Sequence, residues 1–514
     1  PQGICYNVVG DCMKKSCLCI TSDVHGAILS KNYADNSEVL YGLARYGEAI
    51  RQLKKQYNEV ILLDNGDAIQ GSPILTVSNQ DDTYTHILSY VFNHFSLCFI
   101  NLGNHDFNYG ERTLLRYIRD NKAPLLTSNV LFMDNPLGKS RIMTLVNGVR
   151  LGIIGVVTDY IPHWERPEYI ANMKFLDPIE TVKKEIEALR NRCDKIMVMY
   201  HGGIERDFAD GHPTETLTGE NVGYQMCELD GFDILVTGHQ HRSFVTRIHG
   251  KIVVQCGANA SEFIKIEIDE QVSVSIESMS KYPIDRQIEP LVSILEKQAQ
   301  VWLDQPLGEI SDISLLIQDG FLARLHKHPL VSFINQVQKE TTGAQLSATA
   351  LFNHAHGFDT TITMRDLVST YVYPNTLVVK KMNGKSLKMM IEKCAHYFDI
   401  ENDEITVSQE YIYPKIQHFN YDMIDGIDYT LKISRPRGSR LISCTYEGLE
   451  IEDDDTFTVA MNNYRAVGGG DFDMVAQSET VLDTNRDMVE ILAAYIQKHS
   501  PVIVEHFENI RIIK

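Results

Sequence analysis

No apolar run approaches the roughly 18–20 residues that a bilayer-spanning helix requires, and the N-terminal segment lacks the short apolar core of a secretory signal. The chain is therefore expected to be cytoplasmic and without a membrane partner. An exported or cell-surface protein whose signal was removed before Pro1 is the alternative. The ten cysteines, at irregular spacings from Cys5 to Cys444, include no C-x-x-C pair, which excludes the common zinc-ribbon and dithiol redox motifs. Ungrouped thiols fit a reducing compartment. Basic residues are scarce: 48 Lys and Arg stand against 68 Asp and Glu, for a formal net charge of −20. Such a surface repels nucleic-acid polymers, whose binding depends on Lys and Arg neutralising phosphates. A small anion remains an acceptable ligand where metal ions or a local basic patch offset the field. There is no internal repeat and no low-complexity segment. Gly468-Gly469-Gly470-Asp471 lacks the Lys and Ser/Thr of a phosphate-binding P-loop, which argues against an ATPase.

At 514 residues the chain is too long for one core, and two or more domains are expected. Met13-Lys14-Lys15 directly precedes the first predicted strand, so Pro1–Cys12 reads as an upstream extension. From Ser16 onward the first half alternates short apolar runs with helical periodicity, an α/β pattern. Strands are expected at Ser16–Ser22, Val60–Leu63, Leu97–Asn101, Leu125–Asn129, Lys195–Tyr200 and Ile234–Thr237. Helices are expected at Val39–Tyr57, Thr83–Phe92, Glu111–Asp120 and Ile179–Arg192. Asn147-Gly148 between two apolar runs predicts a hairpin. The first domain is placed at residues 16–285. Residues 286–305 read as a linker helix set apart from neighbouring strands, and 306–514 as a separate α+β domain.

The chemistry gathers at five predicted strand ends. Asp23-Val24-His25 follows the first strand and Asn65-Gly66-Asp67 the second. Gly103-Asn104-His105-Asp106 follows the third, His201 follows Lys195–Tyr200, and Gly238-His239-Gln240-His241 follows Ile234–Thr237. Polar side chains at the carboxyl ends of strands occupy the edge where open α/β sheets bind ligands. In Asp-x-His and His-x-His the two ligating side chains lie on one side of an extended backbone. Imidazole with carboxylate suits Zn, Mn or Fe better than Mg or Ca, and a carboxylate such as Asp67 can bridge two ions. Any one of these histidines alone reads as an ordinary surface or core residue, as His86, His94, His326, His354 and His356 do. A matched donor set at successive strand ends does not.

In this order the motifs D-x-H, G-D, G-N-H-D, H and G-H-x-H resemble those of the calcineurin-like metallophosphoesterases. The two-domain length narrows the resemblance to the 5′-nucleotidase family, from Ser16 to the C-terminus. It implies an N-terminal αββα sandwich and a C-terminal α+β nucleotide-binding domain joined by a helix. It also implies two divalent ions, with Asp23, His25 and His241 on one, Asn104, His201 and His239 on the other, and Asp67 bridging. His105 would face the scissile phosphate, stabilise charge and protonate the leaving oxygen. One position departs from the family. Many members read G-N-H-E-F-D, with the last Asp orienting the catalytic His; here that position is Asn108. An amide oxygen accepts a hydrogen bond from imidazole but brings no charge to stabilise imidazolium. Gly66–Gly71 and His105–Gly110 instead resemble the branch of bifunctional 2′,3′-cyclic-nucleotide 2′-phosphodiesterase/3′-nucleotidases. A 5′-nucleotidase or UDP-sugar hydrolase is the alternative within the class, and a non-catalytic nucleotide-binding protein the alternative outside it.

The resemblance extends to the second domain, where Tyr421 and Tyr464 match the two aromatic positions that sandwich a base. Asp471 matches a ribose or base contact, and Asn375 could reach the base edge. The expected partner is a small-molecule nucleotide.

Overall fold

The computed structural model describes residues 15–514 apart from 81, 164, 166, 214–216, 269–270, 312, 354, 374 and 413–415. Pro1–Cys12, expected to be an extension, lies outside the described residues. The chain forms two compact units, Pro1–Gln300 and Val301–Lys514.

In the first unit two sheets pack face to face. One has the strand order Val272–Ser278, Glu262–Ile268, Ser16–Thr21, Glu59–Asp64, Phe99–Ile100. The other runs Phe244–Ile248, Lys251–Gln255, Ile234–Val236, Lys195–His201, Arg150–Val157, Arg141–Thr144. Ser16–Thr21 explains the arrangement in miniature. Every residue in it is buried, because a strand with both faces covered shows a continuous apolar run instead of alternation. Leu18 and Ile20 face the other sheet, packing with Met197, Met199, Ile234 and Val236. Cys17 and Cys19 face the opposite way, into a layer with Leu43, Tyr46, Ile50, Leu88 and Phe92. On the far side of the second sheet, Ile154, Val156 and Val198 pack against Val182, Ile186 and Leu189 of the helix Pro178–Leu189. The layers are helix, sheet, sheet, helix, as expected.

The central strands are parallel: Ser16–Thr21 with Glu59–Asp64, Glu59–Asp64 with Phe99–Ile100, and Lys195–His201 with both Arg150–Val157 and Ile234–Val236. Parallel strands bring all their carboxyl ends to one edge. Beneath that edge the fully buried Asn101 joins the sheets. Its Nδ2 donates to Asn65 Oδ1 at 3.2 Å, to the Val156 carbonyl at 3.0 Å and to the Met199 carbonyl at 3.2 Å. Its Oδ1 accepts from the Thr127 hydroxyl at 2.7 Å.

Helix boundaries differ from the sequence expectations in ways that local chemistry explains. Val39–Tyr57 contracts to Leu43–Leu53, because Gly42 at φ 110° breaks the helical path. Leu125–Asn129 makes only isolated bridges, and the strand falls at Val130–Phe132. The hairpin at Asn147-Gly148 forms, with Thr144 opposite Arg150. The expected linker helix is Ile288–Leu303, but it is not set apart from strands: Pro306–Ser311 follows after only Asp304 and Gln305. Its buried face, Ile288, Val292, Leu295 and Ala299, belongs to the core of the first unit.

The second unit is built on a five-stranded sheet in the order Asp422–Asp425, Leu346–Ala350, Thr456–Asn462, Thr376–Asn383, Glu479–Asp487. Its helices carry their own start and stop signals. His328 accepts from Leu330 N and Pro329 occupies the first turn of Pro329–Thr342, which ends on the left-handed Gly343. Asn383 caps Gly384–Ala395 and Asp487 caps Met488–His499.

Asn101→Leu should strand two buried carbonyls and the Thr127 hydroxyl. At about 1–3 kcal/mol for each unsatisfied group, we expect a clearly lower unfolding midpoint in denaturant, where an unchanged midpoint would remove Asn101 as the tie between the sheets.

Candidate active site

The candidate ligands sit on an unusual backbone. Asp23, His25, Asp67, His239 and His241 all have positive φ, between 48° and 68°. Non-glycine residues there cost of order 1–3 kcal/mol each and persist only where the surroundings over-determine them. Backbone bonds do so here: Asp23 N donates to Gly66 O, His25 N to Asp67 O and Gly26 N to Ala68 O, at 2.9, 2.9 and 3.1 Å. Asp106 contributes most. Fully buried, it accepts from four main-chain amides, Gly103 at 2.8 Å, Asp67 at 3.0 Å, Ala68 at 2.8 Å and Ile69 at 3.0 Å. The loop after Glu59–Asp64 and the turn after Phe99–Ile100 are thereby held as one piece. The approach is close enough that a Cβ on Gly66 would lie 2.2 Å from Gly103 N.

Two donor groups converge on this edge. Ligand atoms of Asp23, His25 and His241 lie within 4.8 Å of one another, and so do those of Asp67, His201 and His239. Asn104 joins the second group through its Oδ1, 2.9 Å from His239 Nδ1. The outward nitrogens are occupied. His25 Nδ1 donates to the Gln70 carbonyl at 3.1 Å and His201 Nδ1 to the Asn65 carbonyl at 2.7 Å, while His239 Nε2 meets Glu220 Oε1 at 2.7 Å. Such partners fix the tautomer and turn the remaining lone pair inward. The inward nitrogens stand across short gaps, as between His25 Nε2 and His241 Nε2 at 3.1 Å. Buried Asp67 Oδ2 and His201 Nε2 stand 3.1 Å apart, and neither has a hydrogen-bond partner. Donors crowded in this way fit a pair of divalent cations.

The electrostatics point the same way. Burial alone would raise Asp23 and Asp67, yet the His201 charge holds both well below the carboxylate range. Burial alone would lower His201, yet Asp67 and Asp23 hold its proton up to about 10. His25 is pushed down to about 4, chiefly by burial, and is neutral at pH 7. The cluster demands positive charge, which a bound divalent cation would supply.

His105 stands beside this cluster, its ring 5.5 Å from that of His25. Its backbone N donates to Asp67 Oδ1 at 2.7 Å, and its Nδ1 lies 2.7 Å from Asn108 Oδ1. Asn108 Nδ2 in turn donates to Glu165 Oε2 at 2.7 Å. Sequence reading brought forward all seven candidate ligands, His105 and Asn108, but missed Asp106 as the backbone clamp and Glu220 and Glu165 as partners of His239 and Asn108. Nothing near Glu220 or Glu165 in the chain marks them, since both come from connections far from the motifs.

In the second unit one expectation is corrected. Tyr421 is fully buried, its ring stacked on Tyr397 at 4.8 Å and edge-on to Phe398 at 5.1 Å, so it offers no face to a base. Phe419, two residues earlier, is half-buried instead. Its ring lies 5.9 Å from that of Tyr464, which is 37% exposed, and 6.0 Å from Tyr373. Phe419 and Tyr464 cross at 77°, edge to face and not stacked in parallel. The buried pair Arg465–Asp422 holds both carriers: the Arg465 guanidinium also bonds the Gly469 carbonyl and, at 3.3 Å, the Phe419 carbonyl. Tyr464 OH donates to Asn420 Oδ1 at 3.1 Å. Asp471 is exposed beside Lys393 at 3.7 Å. The half-buried Asn375 bonds the hydroxyl of buried Tyr371.

A two-sheet sandwich carrying a double donor cluster at its carboxyl edge defines a metal-dependent phosphoesterase. The calcineurin-like phosphoesterase family matches residues 18–243, and the 5′-nucleotidase C-terminal domain family matches residues 308–477. A Staphylococcus aureus protein assigned provisionally as a 5′-nucleotidase, solved with α-ketoglutarate, is 33% identical with a TM-score of 0.79; the match covers 98% of this chain and 100% of that one. A 2′,3′-cyclic-nucleotide 2′-phosphodiesterase/3′-nucleotidase of Salmonella typhimurium is 24% identical over 93% of this chain and 85% of its own. The Homo sapiens 5′-nucleotidase is 22% identical over 93% and 87%. The chain belongs to the calcineurin-like phosphoesterases that carry a 5′-nucleotidase C-terminal domain. Among the described residues no helix is long and apolar enough to cross a membrane.

Chelation should lower the melting temperature, since ligands that bind only the folded state stabilise it. Elemental analysis of Asn104→Ala or His239→Ala should find one of the two ions weakened or lost; full occupancy in either variant would exclude that residue as a ligand.

Proposed function

We propose that the chain hydrolyses nucleotide phosphoesters at two divalent ions, with 2′,3′-cyclic nucleotides and 3′-nucleotides as leading substrates. The observation that carries the reading is the double donor set with His105 set against it. Asp23, His25 and His241 would hold one ion, and Asn104, His201 and His239 the other, with Asp67 between them. Manganese, zinc or iron suits these donors. When bound, the ions activate water and neutralise the phosphoryl oxygens.

The chain's own groups do the rest. Only two of the seven donors are carboxylates, so the charge of two dications is incompletely cancelled and the centre attracts a phosphate despite the acidic surface. His105 has its Nδ1 directed at Asn108, which leaves Nε2 for the departing ester oxygen. Proton delivery there is worth typically 10²–10⁴-fold in rate. The Asp106 clamp and the Asp67 bond to His105 N fix this ring relative to the ligands before substrate arrives. Nucleoside recognition falls to the second unit, where Phe419 and Tyr464 offer ring faces that suit any base. The open Asp471 side chain is a ribose or base contact.

The cyclic-nucleotide branch is favoured by Asn108 in place of the acid usual in 5′-nucleotidases, and by the names of the bacterial relatives from Salmonella typhimurium, Haemophilus influenzae and Yersinia enterocolitica. A 5′-nucleotidase reading is the second choice, favoured by the Staphylococcus aureus relative.

A panel of 2′,3′-cyclic AMP, 3′-AMP, 5′-AMP, UDP-glucose and a bis-ester, assayed with several metals, decides between them. Highest kcat/KM on the first two supports the proposal. Preference for 5′-AMP would move the chain to the second reading, and no metal-dependent hydrolysis of any of them, as followed by product chromatography, would end both. His105→Ala should keep its metal and lose at least 10²-fold in kcat. Phe419→Ala or Tyr464→Ala should raise KM for nucleotides by about 5- to 100-fold, from ~1–3 kcal/mol of lost stacking. KM for p-nitrophenyl phosphate should barely change; equal effects on both substrates would exclude base stacking.

A further inference from the structure

We propose that Glu165 is a positioning residue for His105, acting through the Asn108 amide; the inference rests on the reading of His105 as the group that serves the leaving oxygen. Glu165 is buried, and its Oε2 accepts from Asn108 Nδ2 at 2.7 Å. Asn108 Oδ1 lies at the same distance from His105 Nδ1. The three groups form a line from the connection after Arg150–Val157 to the ring beside the metal cluster.

Hydrogen-bond polarity makes the line directional. Glu165 Oε2 accepts, so it receives the amide N–H₂ end of Asn108. The amide then has only its oxygen to present to His105. An amide oxygen only accepts, so His105 Nδ1 must carry a hydrogen. Nε2, on the other side of the ring, is thereby the nitrogen that exchanges a proton with substrate. Without Glu165, Asn108 is a symmetric-looking amide with no reason to prefer this orientation. Turned over, it would donate to Nδ1, place the ring hydrogen on Nε2 and forbid hydrogens on both nitrogens at once. The usual acid at the 108 position needs no such help, because a carboxylate is an acceptor whichever way it turns. In this chain the negative charge has moved one residue outward, from position 108 to Glu165, and the amide relays its polarity. Glu165 lies 57 residues from Asn108, which is why no local motif discloses it.

The test compares Glu165→Leu, Glu165→Gln, Asn108→Asp and the double variant Asn108→Asp/Glu165→Leu in the metal-loaded full chain. Glu165→Leu should lose about 10- to 100-fold in kcat on 3′-AMP with KM and metal content little changed, the range typical of outer-shell partners. Loss on p-nitrophenyl phosphate, whose leaving group departs without a proton, should be several-fold smaller. Glu165→Gln, which keeps one acceptor oxygen, should fall between Glu165→Leu and the wild type. Asn108→Asp alone sets two carboxylates together and should be impaired, whereas the double variant should recover most of the wild-type rate. Independently of turnover, long-range ¹H–¹⁵N correlation spectra of histidine-labelled protein should show the Nδ1–H form of His105 in the wild type and a changed tautomer balance in Glu165→Leu. Equal losses on both substrates, a double variant no better than Glu165→Leu, or an unchanged tautomer would each overturn the proposal. His105→Ala with full activity would instead remove the reading beneath it.

Discussion

Four main-chain amides pointing at one buried carboxylate set the geometry of this site. Asp106 binds the amides of Gly103, Asp67, Ala68 and Ile69, and two loops from neighbouring parallel strands become a single rigid edge. Asp67 is left in a left-handed conformation it would not choose alone. Its Oδ1 receives the His105 amide, and its Oδ2 faces His201. Candidate ligand, bridge and catalytic histidine thus share one anchor. The anchor exists because Glu59–Asp64 and Phe99–Ile100 are parallel neighbours. In an antiparallel pair the two turns would sit at opposite edges.

Much of the first unit was legible because its signals were local and repeated. An apolar run, a glycine turn and a short polar cluster recur at strand after strand, and parallel pairing then gathers the clusters. The residues that escaped notice act at a distance in sequence. Asn101 reads as the last residue of a strand, yet it spans both sheets. Glu220 and Glu165 sit in connections with no motif. In the second unit Tyr421 was expected to be open, yet the core absorbs its ring, because Tyr397 and Phe398 pack on it from a different strand and turn. The strand Leu346–Ala350 carries little local signal, because LSATA has little β-branched or aromatic content.

Charge is arranged on two scales. At −20 overall, the net charge of the chain has the same sign as a phosphate. Within the cluster, five of the seven proposed donors are neutral, so the ions keep surplus positive charge where a phosphate would lie. Distant surface charges are screened within about 10 Å at moderate ionic strength, so the donors of the cluster itself set the field there.

The central claim is that two ions share the Asp67 carboxylate at this edge. Electron paramagnetic resonance of the metal-free chain titrated with Mn(II) tests it most directly. The account predicts uptake of two ions per chain and an exchange-coupled spectrum, with the coupling lost in Asp67→Asn. A spectrum of isolated, uncoupled ions at full loading, or saturation at one ion, would contradict it.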